Sequence, residues 1–92
     1  MDDHVTDSPA AHRFEMQVGD TLAAAYYRLE DGKVVLTHTE VPERFSGQGL
    51  GSKLAAGVFR LIRESRRRVA IQCPFMAGWV SRHREVEDLV VS

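Results

Sequence analysis

At 92 residues, with 43% hydrophobic and 27% charged side chains, the chain has room for one ordinary globular domain around one modest core. A formal net charge of −1 gives no electrostatic case for nucleic acid or an anionic membrane, and no apolar run approaches the roughly 20 residues needed to cross a bilayer. The lone cysteine, Cys73, excludes an internal disulfide and a multi-thiolate metal site, and with no basic-then-apolar leader the expected compartment is the cytoplasm.

Met1 to Ala11 is polar and without periodicity, so residues 1–11 are expected as a flexible leader and residues 12–92 as a single domain. Phe14, Met16 and Val18 alternate with Arg13, Glu15 and Gln17, the period of a half-buried strand. Gly19-Asp20 turns the chain, Thr21 to Glu30 supplies a second strand, and Asp31-Gly32 is a hairpin signal leading into a third, Lys33 to Val41. These strands predict an antiparallel three-stranded meander. Leu50, Leu54, Val58, Leu61 and Ile62 then form the stripe of an amphipathic helix. Ser65 and Arg66-Arg67-Arg68 end that helix, the arginines complementing its dipole or reaching a bound phosphate. Val69 to Cys73 reads as a buried strand, joined by a crossover and parallel to the third. Pro74 opens a short second helix through His83, and Glu85 to Val91 adds a helical turn. The expected class is α+β, in the order β-β-β-α-β-α.

Between the third strand and the long helix lies Arg44-Phe45-Ser46-Gly47-Gln48-Gly49-Leu50-Gly51. Glycine lets backbone turn tightly and approach a ligand, and the helix start behind it offers unpaired N–H groups to an anion. The Gly-x-Gly-x-Gly spacing departs from the dinucleotide fingerprint, and no Lys-Ser/Thr pair follows to make a nucleoside-triphosphate loop.

Arg44-x-x-Gly47-x-Gly49, after a strand and Pro42 and before a long helix, resembles the acetyl-CoA motif of the GCN5-related N-acetyltransferases. His38-Thr39-Glu40-Val41-Pro42, Cys73-Pro74-Phe75 and Arg82-His83 are similar to further landmarks of its small, single-domain, YjdJ-like branch. The resemblance implies a minimal acyl-CoA N-acyltransferase fold and transfer of acetyl from acetyl-CoA to an amine that the sequence does not identify. It also implies that Arg44, Gly47, Gln48, Gly49, Leu50, Gly51 and Ser52 cradle the pyrophosphate, with Thr39 to Val41 pairing with the pantetheine arm. In three places the chain departs from the family pattern. Ser46 stands where a basic residue is common, Trp79 where larger members place a thiolate-protonating tyrosine, and the two early helices that wall the acceptor site are missing. A coenzyme-A-binding module without turnover is the alternative those departures motivate.

Side chains able to do chemistry are few. His38 and Glu40, two apart on one strand, share a face with Val34 and Leu36 and form a candidate general base in which the carboxylate orients the imidazole. Cys73, before Pro74 at a helix start, is a candidate nucleophile that accepts the acetyl group and passes it on. No spacing among the histidines suggests a metal. The expected partners are acetyl-CoA and its acceptor, with the chain a monomer or weak homodimer.

Overall fold

The computed structural model describes residues 4–43 and 49–91. A five-stranded sheet in the order β1-β2-β3-β4-β5 is built from Val5–Ser8, Arg13–Val18, Thr21–Glu30, Lys33–Glu40 and Val69–Ile71. Helix α1, Leu50–Glu64, crosses over between β4 and β5, and α2, Pro74–Ser81, follows β5. Short 3-10 turns occupy Pro9–Ala11 and Arg84–Leu89. The first four strands pair antiparallel and β5 joins β4 in parallel, which is an α+β fold. Asp31 and Gly32 both take positive φ, 53° and 79°, as a two-residue hairpin turn requires.

The expectation of a loose leader through Ala11 fails from Val5 onward, where the chain forms an edge strand pairing Val5 with Met16 and Asp7 with Phe14. The meander therefore has four strands. Its extra member is held less by its own polar sequence than by what it meets. Val5 is 2% exposed and lies on Gly57 of α1, while Asp7 accepts a 2.6 Å hydrogen bond from the Tyr27 hydroxyl. Burial, reinforced by that bond and by the Asp7 charge, pushes the Tyr27 phenol up to about 12. An unfolded tyrosine ionises near 10, so the folded form resists ionisation and its advantage is complete below about pH 10. Stability should then fall as pH rises from about 10 to about 12, and Tyr27→Phe should flatten that fall in urea-unfolding titrations.

Both helices pack on one face of the sheet. Leu54, Ala55, Val58, Phe59 and Ile62 of α1 and Met76, Trp79 and Val80 of α2 join Phe14, Met16, Ala23, Ala25, Tyr27, Val34 and Leu36 in one core. The apolar stripe of α1 thus does what its period of 3.6 predicts. Arg66, with φ of 61°, leaves α1 in the left-handed region, and the Ser65 hydroxyl caps it by donating to Ile62 O at 2.7 Å. A 15-residue helix is about 22 Å long. Arg66, Arg67 and Arg68 therefore stand a full helix length from Gly49, too far for the phosphate-binding role open to them in the sequence.

Candidate active site

The site is prepared by one irregularity in β4. Tyr27 pairs with Leu36 but Tyr26 pairs with His38, so Thr37 is an extra residue, a bulge, whose hydroxyl donates to Tyr26 O at 3.3 Å. A one-residue insertion reverses which face each later side chain takes. Val34 and Leu36 point into the core, whereas His38 and Glu40, each 61% exposed, point to the outer face with Tyr26 and Arg13. The expectation that all four share a face is thus corrected. The same reversal turns Thr39 inward, where its hydroxyl lies 3.2 Å from Cys73 Sγ.

The second element is a divergence of strands. Parallel pairing of β4 with β5 ends at Leu36↔Ile71, closed by Gln72 N–H donating to Leu36 O at 2.9 Å, while β4 continues to Glu40. Tyr27 N–H donates to His12 O, so Tyr27 and, two residues back, Ala25 direct their backbone groups to β2. Thr39 stands opposite Ala25 and so turns its own N–H and C=O away from β3, toward the side β5 has left. Among the described residues no strand pairs with that stretch of β4. Val41, just beyond, packs partly buried against the core.

The third element is the start of α1. Gly49 is its N-cap, at φ of 75° in the left-handed region that the glycine spacing anticipates, and a Cβ there would meet nothing within 4 Å. The first helical bond is Lys53 N–H to Gly49 O, so the N–H groups of Leu50, Gly51 and Ser52 have no partner within the helix. Gly51 is needed for a different reason. The Phe75 ring covers it so closely that a Cβ would fall 2.7 Å from Cζ. The proposed cradle residues Arg44, Gly47 and Gln48 lie outside the described residues, as do Phe45 and Ser46.

Cys73 is the N-cap of α2, as Pro74 at the helix start requires, and at 4% exposure it belongs to the core as well as to the mouth of the divergence. His38 and Glu40 meet at 3.2 Å between Nε2 and Oε2. A carboxylate only accepts, so Nε2 carries the hydrogen and Nδ1 of the neutral ring keeps its lone pair. Cys73 and the His38–Glu40 pair consequently lie on opposite faces of β4. Sequence reasoning missed two neighbours. Thr39 is a side-chain partner of Cys73, and Trp79 Nε1 donates to Ser52 Oγ at 2.9 Å, tying α2 to the first turn of α1. Only the first had a signal. Three successive apolar residues, Val34 to Leu36, break the period of two before Thr-His-Thr-Glu restores it in the opposite phase. Among the described residues no group of three or more side chains is placed to hold a metal ion, and no helix is long and apolar enough to cross a membrane.

A sheet whose fourth and fifth strands part beside a glycine-capped helix start defines an acyl-CoA N-acyltransferase type of fold. The family model of the GCN5-related N-acetyl-transferases matches residues 13–89, and the chain belongs to that family. Its fold is similar to the NMR solution structure of a GCN5-like N-acetyltransferase candidate from Staphylococcus aureus. That likeness has a TM-score of 0.73 and 21% identity, over 99% of this chain and 90% of the other. A search of curated proteins found no significant match.

Proposed function

We propose that this chain transfers an acetyl group from acetyl-CoA to an amine, in the cytoplasm, as a monomer or weak homodimer. The observation that supports the reading is the stretch of β4 at Thr39 that no described strand pairs, together with three α1 amides that have no partner within the helix. An extended pantetheine arm carries amide groups suited to the Thr39 backbone, with Val41 beside it, and a pyrophosphate suits the N–H groups of Leu50, Gly51 and Ser52. Arg44, Gly47, Gln48 and Gly49 complete the cradle in this proposal.

The thioester then lies in the gap between β4 and β5, reachable from both faces. The amine approaches from the outer face, where no helix packs among the described residues, and His38 Nδ1 takes its proton while Glu40 holds the ring. The amine nitrogen bonds to the acetyl carbon and the carbon–sulfur bond breaks, leaving a CoA thiolate. Cys73, on the other face and partnered by Thr39, supplies the proton that Trp79 cannot, because indole Nε1–H is already given to Ser52 and is not acidic. Passage of the acetyl group through the Cys73 thiol is the rival chemistry, and it requires the acyl group to reach an acceptor deprotonated on the opposite face.

Calorimetric titration with acetyl-CoA should show saturable binding, and CoA release should follow addition of one class from a panel of polyamines, free lysine and peptide amines. Absence of both heat and thermal stabilisation at high acetyl-CoA would overturn the proposal. Binding without turnover across the panel would instead leave a coenzyme-A-binding module, the reading favoured by the bare outer face.

A further inference from the structure

A cavity of about 320 Å³ opens where the C-terminal turn of α1 faces the end of β1 and the start of β4, and the chemistry proposed above makes no use of it. Gly57 of α1 lies on Val5, so Leu61, one turn further along the helix, stands beside Asp7 in the cavity wall. The floor is apolar. Phe14, Val34 and Ile62 are core residues whose edges line it, and half-buried Leu61 adds its side chain.

The rim carries both signs of charge, Asp7 from β1 and Arg67 from the turn after α1. Arg67 lies within Coulombic reach of the Tyr27 phenol, which donates to Asp7 Oδ1 at 2.6 Å. Yet among the described residues Arg67 forms no ion pair and no side-chain hydrogen bond. Two opposite charges that line one cavity without closing on each other leave a gap that a ligand bearing both signs can bridge. The Tyr27 bond orients the Asp7 carboxylate and leaves Oδ2 able to accept. Ser65 closes α1 here, so the negative end of the helix dipole favours a cation in the cavity. Glu64, the other acid of the lining, is already paired with Arg60 at 3.4 Å.

We infer that this cavity binds a free α-amino acid with an apolar side chain, its ammonium on Asp7, its carboxylate on Arg67 and its side chain over Phe14 and Leu61. A simple anion would meet Asp7 and a simple cation would meet Arg67, so only a zwitterion satisfies both ends of the rim. The volume, at the small end of ligand pockets, suits a single amino acid. The ligand is an effector and not an acetyl acceptor, because the cavity is on the helix-covered face of the sheet while His38 and Glu40 are on the other. The inference therefore stands apart from the transferase reading.

Titration of the full chain with L-leucine and L-phenylalanine, followed by amide NMR shifts, tests the assignment without acetyl-CoA. At least one of the two should move the amides of Asp7, Tyr27 and Ser65 saturably and raise the thermal midpoint. Leucinamide, which lacks the carboxylate, and N-acetyl-leucine, which lacks the ammonium, should each bind about tenfold more weakly, and glycine, which lacks the side chain, should not bind. Arg67→Met should cost leucine about tenfold and erase its advantage over leucinamide, and Asp7→Asn should do the same relative to N-acetyl-leucine. Arg67 is exposed, and asparagine keeps an acceptor for the Tyr27 hydroxyl, so both variants should fold. Absence of saturable shifts at this end of the domain with either amino acid would overturn the inference. Equal binding of leucine, leucinamide and N-acetyl-leucine would overturn it too, by showing an apolar pocket that ignores Asp7 and Arg67.

Discussion

Gly57→Ala should destabilise the protein by about 1–3 kcal/mol, although the same change in an exposed helix stabilises by about 1 kcal/mol. Gly57 sits in the middle of α1, where glycine costs backbone entropy and needs a compensating reason. The reason is the first strand. A Cβ at Gly57 would fall 2.6 Å from Val5 Cβ and nearer still to Val5 Cγ2, so rotating the valine side chain cannot relieve the contact. Either β1 must withdraw from the helix or α1 must shift over the sheet, and the buried contacts of Phe59 and Ile62 on the same helix resist the second. Chemical denaturation of Gly57→Ala, Val5→Ala and the double variant gives the decisive comparison. Val5→Ala alone loses buried area, but in the Gly57→Ala background it removes the nearest clashing atom, so the two costs should sum to less than their separate values. A neutral or stabilising Gly57→Ala would mean that the N-terminal strand does not lie on this helix.

That same contact shows where the sequence stops being informative. The edge strand Val5–Ser8 contains one buried apolar residue in a polar stretch, and local periodicity cannot detect a strand whose stability comes from a glycine 52 positions away and a phenol 20 positions away. By contrast, the alternation of Phe14, Met16 and Val18, the Asp31-Gly32 turn, the stripe of α1 and Pro74 at the start of α2 each express a purely local rule, and each gives the element expected. The site divides in the same way. Gly49 as the left-handed cap of α1 follows from the glycine spacing, and Cys73 at the helix start follows from Pro74. The face taken by His38 and Glu40 does not, because counting by twos along β4 fails at Thr37 and only strand pairing with Tyr26 and Tyr27 exposes the extra residue. Trp79, conspicuous in the sequence as a replacement for a tyrosine, has its indole N–H committed to Ser52 and its ring to a stack, which the sequence could not indicate.

The reversal at Thr37 makes the roles of Cys73 and His38 separable. Replacing both His38 and Glu40, by Gln in each case, should lower kcat with the responsive amine by about 10²–10⁴-fold, the usual worth of a positioned base, while acetyl-CoA binding is unchanged. The two side chains are exposed and hold no buried partner, so the variant should fold normally. Raising the pH should restore part of the loss, because an amine that deprotonates in solution no longer needs the imidazole. Cys73→Ala should behave differently. If the thiol only protonates the departing CoA sulfur, solvent can substitute for it, turnover should persist at a reduced rate, and intact-mass measurement of the native protein with acetyl-CoA and no acceptor should show no acetyl adduct. An adduct on Cys73 that is consumed when the amine is added, together with complete loss of turnover in Cys73→Ala, would replace direct transfer by a two-step route. Thr39→Val gives a further check at the same place, since it keeps the strand and the shape but removes the hydroxyl 3.2 Å from Sγ. Direct transfer predicts a fall in kcat without a rise in the KM for acetyl-CoA, because the proposed pantetheine contact is to the Thr39 backbone and not to its side chain.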